Sequence, residues 1–394
     1  MRVYLDNNAT TPLAPEVREE LIRVLDVFGN PSSAHEFGRE ARHIVEEARQ
    51  DLARLLDVEA DELVFTSGGS ESNNLVIKSI LCRTGRCVFS SCQGTPHVIT
   101  TAIEHPCVIE SCRCLEHEGV EVTRLPVDAD GRIAPDDLKK AIRPTTRLVS
   151  IMMANNETGV IQPIQELAQI ARDRGVLFHT DAVQAIAKIP VYPRELGVDF
   201  LTVSGHKFNG PKGVGALWFR SQIDVCPLII GGHQEGGRRA GTENTLGIVG
   251  MGAAARLALG DGADPYGSVA RLRDYMESSI LEKIPYVRIN SPAAYRLPNT
   301  LNASFSYVEG ESIQYLLDFE GVAVSTGSAC STGSLEPSHV LLAMGLDHGA
   351  AHGSIRFSLG RYTTEEDVDY AVQKLVRVID KLRDMSPLYR KPAH

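Results

Sequence analysis

The clearest hydrophobic pattern in this sequence lies between residues 36 and 56. Apolar side chains recur there every three or four positions, with charged residues between them, at Ile44, Ala48, Leu52 and Leu55. This spacing puts the apolar residues on one face of a helix and the charged residues on the other. The segment is therefore predicted to be an amphipathic helix that packs on a core.

Short apolar runs then alternate with helical patterns, which are predicted near 105–118 and 163–174. Strands alternating with helices predict a mainly parallel sheet with helices on both faces, because crossover helices join parallel strands. The predicted strands are LVFT (63–66), HVITT (97–101), RLVSIM (147–152), VLFHT (176–180), FLTVS (200–204) and VGALWF (214–219).

A long helical pattern at about 244–283 follows these strands and leads into a weaker mix of strands and helices. We predict a domain boundary within this helical region. Residues 15–255 would form a large α/β domain, and residues 1–14 with 256–394 a smaller α+β domain. No repeat, low-complexity run or Pro-rich linker interrupts the chain.

Composition and charge narrow the class of protein. The chain has 394 residues, of which 43% are hydrophobic, and Asp and Glu outnumber Lys and Arg 50 to 40. The net charge of -10 argues against a nucleic-acid partner. No segment approaches the roughly 20 apolar residues of a spanning helix, and no targeting peptide is visible. A cytoplasmic protein without membrane contact is predicted.

Polar side chains stand directly after two of the predicted strands, where ligands of such sheets gather. In TSGGSESNN (66–74), glycines and a helix start would aim backbone N–H groups and the Ser70 hydroxyl at an anion such as phosphate. In HTDAVQA (179–185), the Asp181 carboxylate could pair with a pyridinium nitrogen, with Gln184 three residues on. A glycine turn and a helix N-cap are the ordinary alternatives.

A lysine follows the next predicted strand, in SGHKFNGPKG (204–213). Lys207 stands there among small residues, and lysine amines form Schiff bases with carbonyl cofactors. Most lysines are only solvated surface groups, so this residue alone does not identify a site.

The order of these features is that of fold-type I pyridoxal-phosphate enzymes: a phosphate-type turn, then an aspartate, then a lysine at strand ends. In detail the chain resembles the class-V aminotransferase-like proteins, and among them the cysteine desulfurases of the NifS/IscS family. The resemblance spans nearly the whole chain. The motifs that carry it are YLDNNATTP, TSGGSESNN, IEHPCV, NNETG, HTDAVQ, SGHKFNGPKG, RRAGTEN and STGSACSTGSLEPSHVL.

The resemblance implies a role for individual residues around a pyridoxal phosphate. Lys207 would hold the cofactor covalently, and Asp181 would pair with its pyridine nitrogen. His105 would stack on the ring and carry protons, while Gln184 and Asn156 would contact the phenolic oxygen. The expected phosphate ligands are Gly69, Ser70, Ser204, His206 and, from the second subunit of a homodimer with a shared active site, Thr242.

Cys330 lies in STGSACSTGS (325–334), a run of small polar residues typical of a loop. A thiol on a loop can reach a substrate and an external acceptor, whereas a small buried thiol is the ordinary alternative. By the resemblance, Cys330 would take sulfur from L-cysteine as a persulfide and leave L-alanine. Lys207 would act as the base, and Arg356, with Asn156, would bind the substrate carboxylate. The acceptor would be an iron–sulfur scaffold protein or another sulfur carrier.

Two stretches depart from the family pattern. Ser70 stands where members usually have threonine, but the hydroxyl is kept, so phosphate binding is still expected. Gly236 stands where arginine is common, and His233 where glycine is frequent. These two differences change the charge expected at the dimer interface, but they do not change the groups expected to carry out the reaction.

The cysteines invite a metal interpretation, which their spacing disfavours. The C-x4-C spacing is not that of a metal site, Cys112 and Cys114 would face different sides of a helix, and residues 82–97 are predicted to be a surface insertion. No metal site is predicted, and all eight cysteines are expected to be thiols in a reducing cytosol. Those that cluster with His97 and His105 are Cys82, Cys87, Cys92, Cys107, Cys112 and Cys114.

Two other classes of function stay open. Another pyridoxal-phosphate reaction, such as transamination or selenocysteine lysis, would share Lys207 and Asp181 but would not need Cys330. A non-catalytic scaffold that binds iron through the cysteine cluster would contain iron and would lack the yellow colour of the bound cofactor.

Overall fold

A seven-stranded sheet forms the centre of the larger part of the molecule, as described by a computed structural model. The structure describes residues 1–82, 95–221, 223, 225–260, 266–326, 336–387 and 389, so Cys87, Cys92 and Cys330 lie outside it. The order of the strands is β2-β8-β7-β6-β5-β3-β4. They are β2 (Leu63–Thr66), β3 (His97–Thr101), β4 (Glu121–Leu125), β5 (Thr146–Ser150), β6 (Leu177–Asp181), β7 (Phe200–Ser204) and β8 (Gly215–Phe219).

The predicted mainly parallel sheet is confirmed. Strands β4, β3, β5, β6 and β7 run parallel to one another, whereas β8 runs antiparallel to both β7 and β2. All six predicted strands are present within one or two residues of their predicted bounds. The prediction missed β4, because this edge strand has charged and half-exposed residues instead of an apolar run.

The apolar runs of the central strands are buried on both faces of the sheet, because successive side chains point to opposite sides. Leu148 and Phe200 pack in one hydrophobic cluster, and their neighbours Val149 and Leu201 pack in another on the opposite face. The helices of this part are α1 (Pro15–Arg23), α2 (Glu36–Leu56), α3 (Gly69–Lys78), α4 (Pro106–His117), α5 (Pro135–Ala141), α6 (Ile164–Arg172), α7 (Pro193–Leu196) and α8 (Thr245–Gly260).

Helix α2 has the bounds that its apolar stripe predicts. Its first turn is capped by His35, whose Nδ1 accepts a hydrogen bond from the backbone N–H of Gly38 at 3.2 Å. The stripe packs against α8 at very short range, since a Cβ added at Gly252 would lie 2.6 Å from the Cα of Ala48. The small residues therefore allow two helix backbones to meet over the sheet.

The smaller part of the molecule combines both ends of the chain around a second core. A three-stranded antiparallel sheet has the order β12-β10-β9, and β1 pairs in parallel with β11. The elements are β1 (Val3–Tyr4), α9 (Gly267–Lys283), β9 (Val287–Ile289), β10 (Thr300–Phe305), α10 (Gly310–Phe319), β11 (Val322–Ala323), α11 (His339–Ala343), α12 (His348–His352), β12 (Ser354–Ser358) and α13 (Glu365–Met385).

The separate cores support two domains. The long helical pattern predicted at 244–283 consists of two helices, of which α8 packs on α2 and α9 packs on α13. Val3 and Leu5 belong to the core of the smaller part, together with residues of α9, β12 and α13. We propose residues 15–255 as one domain, and 1–14 with 256–394 as the other.

One expectation about the cysteines was wrong. Cys82 and Cys226 form a disulfide, with a Cα–Cα distance of 6.1 Å across 144 residues of sequence. The pairing arises because Cys82 follows α3, which begins after β2, whereas Cys226 follows β8, the strand paired with β2. Cys107, Cys112 and Cys114 are free thiols.

No metal site is predicted at the clustered cysteines and histidines of residues 82–114. Within the described parts of the chain, no group of three or more His, Cys, Asp or Glu side chains could hold a metal ion. His97 is not on a surface insertion but is buried in β3, where Thr146 and Thr123 hydroxyls hydrogen-bond its ring nitrogens at 2.8 and 2.9 Å.

Across the residues that the structure covers, no helix has the length and apolar character needed to cross a membrane.

A buried carboxylate joins the two antiparallel strands at the edge of the sheet and generates a stability prediction. Glu62, just before β2, accepts hydrogen bonds at 2.9 Å from the Trp218 indole of β8 and from Arg194. The side chain of Glu62 is 4% exposed and that of Arg194 51%. The indole N–H therefore depends on Glu62, whereas the guanidinium of Arg194 can be hydrated.

We expect Glu62→Ala to lower the free energy of unfolding by about 1–3 kcal/mol, because it leaves a buried N–H without an acceptor. Arg194→Ala is the matched control and should cost at most about 1 kcal/mol. Urea unfolding followed through the fluorescence of Trp218, the single tryptophan of the chain, measures both. Equal losses in the two variants would show that the indole contact does not matter.

Candidate active site

A cavity of about 300 Å³ opens at the carboxyl ends of the central strands. Asp181 is the last residue of β6 and Ser204 the last residue of β7, so the parallel register brings them to the same edge of the sheet. The cavity joins ten of the twelve predicted site residues, namely Gly69, Ser70, His105, Asn156, Asp181, Gln184, Ser204, His206, Lys207 and Arg356.

One wall of the cavity is the first turn of α3, whose leading backbone N–H groups have no partner within the helix. The backbone at Gly68 has φ +153°, which side-chain-bearing residues rarely adopt. At Gly69, an added Cβ would lie 2.8 Å from Val183 Cγ2. These glycines let the helix start approach the cavity beside Ser70 and Ser204. The arrangement suits an anionic group such as a phosphate.

Lys207 lies in the single turn Gly205–Lys207 that follows β7. Its Nζ donates hydrogen bonds to the carbonyl oxygens of Asn8 at 2.6 Å and Ala9 at 2.9 Å. The N-terminal segment thereby holds the amine in the cavity. Lys212, the next lysine, is exposed.

Asp181 is 7% exposed. Its Oδ1 accepts a hydrogen bond from the backbone N–H of Val183 at 2.9 Å, and its Oδ2 accepts one from Asn73 Nδ2 at 2.6 Å. Both donors are neutral amide groups. The negative charge is therefore available to a cationic group of a ligand.

Two histidines in the cavity are neutral near pH 7. Burial lowers the pKa of His105, as do Lys207 and His339, while Asp181 acts in the opposite direction. Burial and the nearby Lys207 lower the pKa of His206 to about 4. His105 is also the N-cap of α4, and its Nδ1 accepts a hydrogen bond from the backbone N–H of Cys107 at 3.2 Å. The ring proton of neutral His105 is therefore on Nε2.

Arg356 enters the cavity from β12 of the smaller part. Its guanidinium donates to Asp6 Oδ1 at 2.7 Å and to the carbonyl oxygen of Asn156 at 2.9 Å. Its Nε is buried and has no hydrogen-bond partner among the described residues. The two hydrogen bonds hold the guanidinium at the wall of the cavity.

Gln184 is oriented by two hydrogen bonds. Lys188 Nζ donates to its Oε1 at 3.0 Å, and its Nε2 donates to the carbonyl oxygen of Asn8 at 2.9 Å. The Asn8 carbonyl therefore accepts from both Gln184 and Lys207.

Two of the predicted site residues are not part of this cavity as described. Thr242 is exposed and lines a separate surface cleft with Ser67 and Arg239. Cys330 lies outside the described residues. The chain enters its segment after Thr326 and leaves it before Glu336, and both of these residues line one cleft of about 270 Å³.

The prediction missed several residues that line the cavity, among them Asn8, Ala9, Asn73 and Cys107. The motifs YLDNNATTP, TSGGSESNN and IEHPCV contain them, so their polar character was visible. Nothing in the spacing of these motifs shows which side chains face the cavity.

Comparison with known proteins agrees with this geometry. The model of the family "Aminotransferase class-V" matches residues 3–371. The chain is 53% identical to "Cysteine desulfurase IscS" of Dictyoglomus turgidum over 386 residues, which are 98% of this chain and 96% of that protein. This chain belongs to the cysteine desulfurases of the class-V aminotransferase family.

Solved structures of the family share the fold. A "NIFS-like protein" superposes with a TM-score of 0.88 at 39% identity and covers 97% of this chain and 100% of its own. The structure of SspA in complex with cysteine has a TM-score of 0.80 at 37% identity, over 92% of this chain and 100% of its own. The fold predicted from the sequence is therefore that of the family.

A buried carboxyl group next to His105 carries no predicted role. Glu104 Oε1 accepts hydrogen bonds from the Thr101 hydroxyl at 2.8 Å and from the backbone N–H of Met152 at 2.9 Å. Burial raises its pKa to about 8, and the Asp181 charge acts in the same direction, whereas the two hydrogen bonds oppose the rise. The folded protein therefore holds a protonated Glu104 at neutral pH.

This shift predicts a pH dependence of stability. A carboxyl group with a raised pKa stabilises the fold fully below its ordinary value of 4.5, and the contribution is lost as the pH rises toward about 8. Glu104→Gln cannot ionise, so its melting temperature relative to the parent should increase between pH 5 and pH 8. The exposed Glu118→Gln is the control and should show a constant difference. A constant difference for Glu104→Gln would contradict the raised pKa.

Proposed function

We propose that this protein uses pyridoxal phosphate to remove sulfur from L-cysteine, releases L-alanine and carries the sulfur as a persulfide on Cys330. The observation that supports this most directly is the convergence of Lys207, Asp181, His105 and Arg356 on one cavity. An amine, a carboxylate, a neutral imidazole and a guanidinium are the groups that an amino-acid reaction with a carbonyl cofactor needs.

The cavity fits pyridoxal phosphate by its donor set. Lys207 would bind the cofactor aldehyde, and Asp181 would face the ring nitrogen as an anion held by neutral donors. His105 would lie on the ring face, and Gln184 and Asn156 would contact the phenolic oxygen. The phosphate would be bound by Gly69, Ser70, Ser204 and His206. When bound, the cofactor supplies an electron sink for the bond broken at the substrate α-carbon.

The substrate carboxylate would be bound by the guanidinium of Arg356, which lines the cavity, with help from Asn156. The related SspA was solved in complex with cysteine, which supports L-cysteine as the substrate here. Lys207 would take the α-proton, and neutral His105 would deliver a proton from Nε2 to product.

The sulfur step requires Cys330 to reach the substrate. Ser325 forms two backbone hydrogen bonds with Arg356, so the chain enters the Cys330 segment beside the substrate site. The five residues from Ser325 to Cys330 can span at most roughly 17 Å, which allows the thiol to meet a substrate held by Arg356. The Cys330 thiolate attacks the substrate sulfur, the carbon–sulfur bond breaks, and carbon gains a proton. No external oxidant is consumed.

We also propose a homodimer that shares its active sites. Thr242 is exposed and does not line the cavity of its own chain, which supports its contribution to the phosphate site of the partner subunit. The acceptor of the persulfide would be an iron–sulfur scaffold protein or another sulfur carrier, in keeping with the name of the IscS relative. We place the reaction in the cytoplasm, although the Cys82–Cys226 disulfide departs from the free thiols expected there.

Lys207 should be the residue that binds the cofactor. Lys207→Ala should lose the yellow colour and fall below about 1% of the parent turnover, since the base is removed. The exposed Lys212→Ala should keep both. Borohydride reduction of the parent and peptide mapping should find the cofactor on Lys207. A label on Lys212 or Lys188 would overturn the assignment.

Cys330 should be the thiol that receives sulfur. Cys330→Ser should bind the cofactor and change its absorption spectrum when cysteine is added, but release of sulfide and alanine should stop. The exposed Cys114→Ser should behave as the parent. Mass spectrometry of the parent, trapped after cysteine addition, should find the extra sulfur on Cys330. Continued alanine production by Cys330→Ser would instead favour another pyridoxal-phosphate reaction.

A further inference from the structure

A continuous chain of hydrogen bonds connects Asp181 to His105 through two residues without an assigned role. Asn73 of α3 is fully buried, and its Nδ2 lies 2.6 Å from Asp181 Oδ2 and 3.2 Å from Cys107 Sγ. Cys107 Sγ in turn lies 3.0 Å from His105 Nδ1. The residue that would face the cofactor nitrogen and the residue that would cover the ring are thus linked inside the protein.

The direction of each hydrogen bond follows from the number of protons available. Asn73 Nδ2 has two protons, one for the Asp181 carboxylate and one for the Cys107 sulfur. His105 Nδ1 already accepts the backbone N–H of Cys107 at 3.2 Å, so it carries no proton. The Cys107 sulfur can therefore contact Nδ1 only as an S–H donor.

The thiol is held in the protonated form that this direction requires. Burial raises the pKa of Cys107 to about 12, and the charge of Asp181 acts in the same direction. Hydrogen bonds from Asn73 and Ser70 oppose the rise. A thiol of this kind is a poor nucleophile and sulfur acceptor, which separates its role from that of Cys330.

We propose that Cys107 is a positioning residue for His105: its thiol donates a hydrogen bond to Nδ1, which keeps the imidazole neutral with its proton on Nε2, and Asn73 ties this arrangement to Asp181. The inference deepens the proposed desulfurase site and rests on the roles proposed there for His105 and Asp181.

The thiol matters because the other groups around His105 have opposing effects on the pKa of its imidazole. The Asp181 carboxylate favours the charged imidazolium, whereas burial, Lys207 and His339 disfavour it. Protonation of Nδ1 requires that both donors of Cys107 turn away from it. Loss of the thiol donor should therefore raise the pKa of His105 by about 0.5 to 1 unit, the size expected for one hydrogen bond to the neutral form.

The test compares Cys107→Ala, which removes the donor, with Cys107→Ser, whose hydroxyl keeps it. Cys114→Ala removes an exposed thiol from the same helix and is the matched control. Nitrogen NMR of the holoenzyme with labelled histidine follows the titration of His105, whose signals are identified by their loss in His105→Gln. The acid limb of the kcat profile against pH is a second readout.

We expect the pKa of His105 and the acid limb to move upward in Cys107→Ala and to keep parental values in Cys107→Ser and Cys114→Ala. A merely structural role for Cys107 would lower stability without moving this titration. Unchanged titration in Cys107→Ala, or a Cys107→Ser variant that titrates like Cys107→Ala, would overturn the inference. Failure of the proposed function is distinguishable, because the parent protein would then release neither sulfide nor alanine from cysteine, whatever the titration of His105 in the Cys107 variants.

Discussion

The parallel register of β5, β6 and β7 is the constraint on which the site depends. It brings the ends of three strands to one edge of the sheet, so that Asp181 and Ser204, each the last residue of its strand, lie beside the turn that carries Lys207. Burial on both faces leaves these strands no freedom to shift, because a one-residue slip would turn every apolar side chain to the wrong face. Rigid strands therefore position groups that charge alone would not hold together.

Burial also sets the protonation states around the cavity. It keeps His105 neutral, and it holds Glu104 and Cys107 in their protonated forms at neutral pH. Asp181 and Arg356 bring a carboxylate and a guanidinium to the same cavity. The site thereby combines neutral proton donors with a carboxylate and a guanidinium.

The N-terminal segment connects the two parts of the molecule at the cavity. The Asn8 side chain donates to Thr300 Oγ1 at 2.9 Å in β10, while its carbonyl oxygen accepts from Lys207 and Gln184 of the larger part. Asp6 and Arg356 form an ion pair in the same region. A ligand bound at Arg356, as we propose, would therefore lie among contacts that join the two parts of the molecule.

Much of this protein could be predicted from its sequence, because the decisive signals are local. Apolar runs and stripes determine the strands and helix α2. Lys207 and Asp181 could be singled out by the order of the strand-end motifs and their resemblance to the family, not by their position after a strand alone. The tertiary structure alone decided the antiparallel pairing of β2 with β8, the Cys82–Cys226 disulfide and the link from Asp181 through Asn73 and Cys107 to His105. Each of these joins residues that are distant in sequence, and side-chain direction across such distances is fixed by packing rather than by local periodicity.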